Sequence, residues 1–151
     1  MANDNISYQI ESAAREIYAK VTLGMRARAY SAANELRNAS QEVLRGQRHG
    51  RRYTLPGTKA KYTASAPGEP PAVRFGHFRQ SWQAQTEVVG NGNNYSVRSY
   101  IQSSIRTDNG KYLLGQILEE GTGRMAPRPY KERIQQKALP KIIEIYKRPY
   151  F

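Results

Sequence analysis

The chain has no cysteine, only two histidines, one tryptophan, and no apolar run near the roughly 18 residues a membrane span needs. Each absence removes a class of function. Without cysteine there is no disulfide framework, no cysteine-rich zinc site and no thiol nucleophile, a composition compatible with a reducing compartment. Stability has to come from packing or from assembly. His49 and His77 each lack a second histidine or a carboxylate at metal-ligand spacing, so no histidine-based metal site is expected. Met1-Ala2-Asn3-Asp4-Asn5 lacks the basic and apolar regions of a signal peptide, which leads us to expect a soluble chain not secreted by that route.

Acidic residues are also scarce, at 12 Asp/Glu against 24 Lys/Arg, for a net charge of +12. Such a balance points to a polyanionic or acidic partner, and its distribution is more telling than its total. Residues 1–45 carry six basic against five acidic side chains, and residues 80–123 carry three against four. Both are nearly neutral. Residues 46–79 carry seven against one, and residues 124–151 eight against two, so these two stretches hold all the excess.

With 151 residues, one domain and one core are expected. Its first segment, 1–45, is helical by period: Ile6, Ile10, Ala13, Ile17, Val21 and Gly24 recur at spacings of three and four. Leu36, Val43 and Leu44 resume the stripe after an alanine-rich middle. Asn3, Asp4 and Asn5 are candidate caps, Gly46 suits the position after the end, and Gly24 marks a bend or a close contact. Unbroken, such a helix would reach about 60 Å, beyond the diameter of a domain this small. It must break or project.

Residues 46–79 show neither helical nor strand period and are rich in Gly, Pro, Arg, Lys and Tyr, which predicts a long extended basic loop. It reads either as an arm that orders on a neighbour or as a solvated loop. Segment 80–123 opens with a period of two. Trp82, Ala84, Thr86 and Val88 alternate with polar residues, as do Tyr95, Val97, Ser99 and Ile101, and Gly90–Asn94 joins the two strands. A short helix over Leu113, Leu114, Ile117 and Leu118 follows, with Gly121 as its stop. Segment 124–151 reads as a helix from Pro129 to Lys147 with a kink or break near Leu139, because Pro140 lies within it. The fold class is therefore α+β: a long N-terminal helix, an antiparallel sheet built around a central hairpin, a C-terminal helix and the long basic loop.

No catalytic kit emerges. Glu119-Glu120 is the one adjacent acidic pair after the hairpin, and neighbouring helix positions point apart. Gly121-Thr122-Gly123-Arg124 lacks the Walker spacing and lysine, and no GxGxxG follows a strand. Neither an enzyme, a resident metal nor a cofactor is expected. In the arm, Arg48, Arg51, Arg52, Tyr53, Lys59, Lys61, Tyr62 and Arg74 interleave charge with aromatic rings, and are the residues expected at an interface or facing DNA.

Two irregular blocks remain. Pro67-Gly68-Glu69-Pro70-Pro71 leads into Phe75-Gly76-His77-Phe78-Arg79-Gln80-Ser81, and Gly115 with Glu119-Glu120-Gly121-Thr122 leads into Arg128-Pro129-Tyr130. Gly76 and Gly121 suit turns closed to other residues, and Pro129 suits the first turn of a helix. Arg79 and Arg128 are candidates to pair with a carboxylate such as Glu119. The order of these words over about residues 66–146 resembles the head-tail joining, or tail completion, proteins of long-tailed bacteriophages. That family shows a Pro-rich lead-in, T-G-x-L-R-x-S before a strand pair, E-x-G-T, and A-R-P-F before a C-terminal helix. Here Phe75, Phe78 and Pro127 replace its usual threonine, aliphatic residue and alanine.

The matching positions are Gly68, Pro70, Gly76, Phe78, Arg79, Ser81, Glu119, Gly121, Thr122, Arg128, Pro129 and Tyr130. The resemblance implies a non-enzymatic virion protein of the neck, assembled in the host cytoplasm as a homo-oligomeric ring that completes or terminates the tail. Its implied partners are itself, head completion or stopper proteins, tail tube or terminator proteins, and genome DNA in the channel, with no membrane. The alternative is a basic nucleic-acid-binding module that uses the 46–79 arm.

Overall fold

The computed structural model describes residues 2–151, with side chains from Asn5 onward. In chain order the elements are α1 (Ala2–Arg45), β1 (Arg52–Thr54), β2 (Lys61–Thr63), α2 (His77–Gln80), β3 (Gln83–Val89), β4 (Ser96–Gln102), α3 (Leu114–Glu120) and α4 (Lys131–Lys147). The class is α+β, as the patterns predict. Its strands form two separate two-stranded antiparallel sheets, β1–β2 and β3–β4, rather than one sheet around the central hairpin. No described helix is long and apolar enough to cross a membrane.

α1 is unbroken over 44 residues, so it projects. Every described side chain from Asn5 to Lys20 is exposed, and burial begins at Val21. About 18 Å of helix, residues 5–16, stands clear of the body before Tyr18 Oη donates to Gly92 O at the tip of the central hairpin at 3.4 Å. The side chains of Asn3 and Asp4, expected as caps, lie outside the described ones, while Asn5 sits inside the helix and its Oδ1 accepts from Gln9 Nε2 at 3.4 Å. The body grips the alanine-rich middle instead of the isoleucine stripe: Ala29, Ala32, Ala33 and Ala39 are all buried. Small side chains let β4 and α4 approach the helix backbone closely, and Ser99 Oγ donates to Ala29 O at 2.7 Å.

Gly24 marks a close contact, not a bend. A Cβ there would lie 2.9 Å from the Tyr150 ring. The Arg28 guanidinium lies over the same ring, 3.5 Å from the Tyr150 centroid, and donates to Tyr146 O in the last turn of α4 and to Arg148 O just past its end. Lys137–Glu42 at 2.8 Å and Lys141–Glu35 at 3.3 Å link α4 to α1 farther along.

The central hairpin has the expected faces, with Ala84 opposite Ile101, Thr86 opposite Ser99 and Val88 opposite Val97. α1 runs along it from Ser99 to the tip, where Arg26 Nε donates to Tyr95 Oη at 2.7 Å, while Val88 and Val89 stay exposed. Gly90 turns the chain at φ 85°, where a Cβ would meet Asn94 O at 2.2 Å. α4 runs as one helix through Pro140, so two short helices are not found. Pro140 is exposed, which lets water satisfy the carbonyl that its missing N–H leaves free. Ala39, Leu44, Trp82, Tyr130, Ile134 and Ala138 form the core, with Phe78, Ile101, Leu118 and Ile142 packed against it.

Candidate binding cleft

The three sequence words meet in space. Phe78, Trp82 and Tyr130 form a triangle of edge-to-face rings with centroids 5.6, 5.6 and 5.7 Å apart. Tyr130 Oη donates to Gly115 O at 2.8 Å, and a Cβ at Gly115 would sit 2.7 Å from that hydroxyl. Only glycine leaves room for it. Burial pushes the Tyr130 hydroxyl well above its ordinary pKa, and the nearby Glu119 charge pushes the same way, so the ring stays neutral and keeps donating.

Glu119 has a different role from the ion pair expected of it. Its Oε2 accepts the Tyr130 and Lys131 backbone N–H groups at 2.9 and 3.2 Å, capping the N-terminus of α4 from another element. Neither Arg79 nor Arg128 pairs with it. Pro129 precedes the cap residue Tyr130, so it stands outside the first turn and directs the chain into the helix. Gly121 ends α3 at φ 76°, and Thr122 Oγ1 accepts Arg124 N and Met125 N in the tight turn that follows. Gly76 leads into α2 at φ 81°, while Ser81 Oγ donates to Phe78 O at 2.7 Å and meets Ser103 Oγ at 2.5 Å. These residues build a joint between α2, α3 and α4.

The arm is not structureless. β1 and β2 pair over Arg52–Thr63, Tyr53–Tyr62 and Thr54–Lys61, a hairpin too short for a period to register. Its root is held by polar groups. Arg48 donates to Pro70 O at 2.7 Å, to Pro71 O at 3.0 Å and to Val43 O at 2.9 Å, joining the end of α1 to the proline block. The Arg48 guanidinium is therefore engaged inside the fold. Ser65 Oγ donates to Pro70 O at 2.6 Å, and Arg133 donates to Gly68 O at 3.0 Å, where Gly68 turns at φ 81°.

Glu69 completes this clamp, with its carboxylate accepting His49 N at 3.0 Å and Ala66 N at 2.8 Å and lying 2.5 Å from His49 Nδ1. The backbone N–H of His49, followed by that of Ala66 and the His49 ring, holds the Glu69 carboxyl down at about 2.

Between the clamped hairpin and the joint lies an open cleft of about 1010 Å³. Leu44, Phe78, Leu114, Leu118 and Met125 contribute apolar lining, and Arg51, Arg74, Arg79, Arg106 and Arg128 bring charge to it, against Asp108 as its one acid. No described carboxylate forms an ion pair with any of the five arginines. The Arg79 Nε is buried without a hydrogen-bond partner, although the residue's carbonyl is fixed by Gln41 Nε2 at 2.6 Å. Arg74 lies over the Tyr62 ring at 5.7 Å and the Phe75 ring at 5.9 Å, while Tyr62 packs on Tyr53 at 5.9 Å.

The chain matches no protein-family model, no curated protein and no solved structure. The cleft is read from its own chemistry. Of the arm residues singled out by sequence, Arg51, Tyr53, Tyr62 and Arg74 line it, whereas Arg52, Lys59 and Lys61 are exposed outside it. Arg79 and Arg128 join them from the motif words. Arg106 joins them without a sequence signal: it sits in a nearly neutral segment, and the Arg106–Leu113 bridge that returns the chain to α3 brings it there. No local pattern marks that return.

Proposed function

We propose that this chain is a structural subunit of a phage neck, forming a ring that completes the head end of the tail and joins tail to head around the DNA channel. The observation that carries this reading is the projecting half of α1. Ile6, Ile10 and Ile17 are 58%, 65% and 54% exposed along one helical stripe, an apolar surface that the chain cannot bury on itself. A heterologous contact, in which one surface meets a different surface of the next copy, closes into a ring when its rotation allows. The joint of the three words also supports the reading, because residues matched by order alone pack against one another. The two basic stretches suit either channel DNA or acidic surfaces of adjoining neck proteins.

Native mass measurement and particle imaging of the purified protein test this. Rings are expected, and Ile10→Glu with Ile17→Glu should return them to monomers. A chain that stays monomeric and is absent from virions overturns the proposal. Portal, capsid and tail-tube genes are expected beside its own gene. The second reading, a nucleic-acid module using the arm, draws on the arginines and tyrosines around the cleft, and needs no ring.

A further inference from the structure

We infer that the cleft between the β1–β2 hairpin and the α2–α3–α4 joint is the docking site for an acidic, extended segment of a partner protein. Its carboxylates would engage Arg79 and Arg128, and its apolar side chains the floor around Phe78 and Leu118. Charge is the first argument. Five arginines converge on one concavity with a single aspartate, and none has an ion-pair partner among the described residues. Like charges held together are unfavourable until an anionic group neutralises them. The Arg79 Nε is buried and partnerless, so the terminal amino groups of the same guanidinium, which no described hydrogen bond engages, supply the fork that a carboxylate accepts.

The lining separates kinds of anion. Phosphate recognition needs charge and donors, but the half-buried apolar residues Leu114, Leu118 and Met125 on the same walls gain only from an occupant that brings apolar groups too. Shape excludes duplex DNA, a rigid rod that lies across convex or grooved surfaces and cannot enter a concavity of about 1010 Å³. That volume is at the top of the usual range of roughly 300–1,000 Å³ for ligand clefts, room for a short peptide segment. Single-stranded nucleic acid binds by stacking bases on free aromatic faces. Here Tyr53 and Tyr62 pack on each other, and Arg74 already lies over the rings of Tyr62 and Phe75. The β1–β2 sheet has only two strands, so its outer edges are also open to an extended chain.

The inference stands on the cleft alone, and its test uses the purified full chain, so it survives or fails independently of the ring. The probes are a fluorescent peptide alternating glutamate and leucine, a glutamate–serine peptide of equal charge, and a single-stranded thymidine oligonucleotide of equal charge. The glutamate–leucine peptide should bind most tightly. Arg79→Gln with Arg128→Gln should weaken it by about tenfold or more. Lys147→Gln with Arg124→Gln, an equal loss of charge outside the cleft, should change it by no more than about twofold. If circular dichroism shows the first variant unfolded, Arg74→Gln with Arg51→Gln, both exposed, carries the same test. Tighter binding of the oligonucleotide overturns the inference, as does equal binding of the two peptides or equal weakening by cleft and control variants.

Discussion

The two hairpins of this chain are built from the same local pairing and held by different physics. β3–β4 pairs over seven residues a strand, lies against α1, and follows directly on Trp82, which is buried in the core. β1–β2 pairs over three residues a strand, and the side chains of β1 are all exposed. A free two-stranded ribbon is marginal in water. The second hairpin persists because Arg48, Ser65 and Glu69 tie down its root through carbonyls and amides, with little apolar burial of its own. Packing against α1 and attachment to the buried Trp82 fix one hairpin to the body, and a polar clamp presents the other beside a cleft. Electrostatics follow the same division, since the hairpin packed on α1 belongs to a nearly neutral segment and the clamped one to a strongly basic segment.

The largest effect should come from breaking the buried side. Trp82→Ala removes one corner, and so two of the three contacts, of the Phe78–Trp82–Tyr130 triangle, and a buried aromatic truncated to alanine costs about 3–5 kcal/mol. Urea denaturation followed by circular dichroism should show a loss of that size. A loss below about 1 kcal/mol would place the principal core elsewhere.

A smaller, local effect should come from the clamp. The Glu69 carboxyl is held at about 2, below its ordinary 4.5, so the folded chain favours the charged form. The stabilisation is present above about 4.5 and disappears as pH falls from there toward about 2. Hydrogen exchange across that window should show Gly50 N and Ala64 N, which bond to Ala64 O and Arg51 O, losing protection before the β3–β4 ladder does. Glu69→Gln should loosen the same amides at neutral pH. Simultaneous loss in both hairpins would mean that they form one cooperative unit.

The contrast also explains what the sequence made legible. A period of two over Trp82–Val88 and Tyr95–Ile101 predicts the central hairpin, in which Ala84, Thr86 and Val88 stand opposite Ile101, Ser99 and Val97. The period of α1 predicts a helix but not its partners. Its isoleucine stripe is as regular as a buried one, whereas the body selects Ala29, Ala32 and Ala33 because close approach needs small side chains. The clamp is invisible to periodicity, since Arg48 and Glu69 act through carbonyls and amides up to 23 residues away. In the cleft, Arg51, Tyr53, Tyr62 and Arg74 announce themselves as a basic aromatic run. Arg106 does not, because only the folded chain brings it there.

The smallest effect is expected where the arm carries charge without contacts. Arg52 and Lys61 lie in the paired strands, exposed and outside the cleft, with no described ion pair. Arg52→Ser with Lys61→Ser should therefore move folding stability by no more than about 0.5 kcal/mol, measured again in urea. The sign leans toward stabilisation, because the variant relieves repulsion within a segment carrying seven basic side chains and one acidic. A loss above about 1 kcal/mol would show these side chains supporting the hairpin itself. A neutral result would instead separate the two roles of the arm: Arg48 and Glu69 hold it in place, and the outward charges remain free for whatever the arm meets.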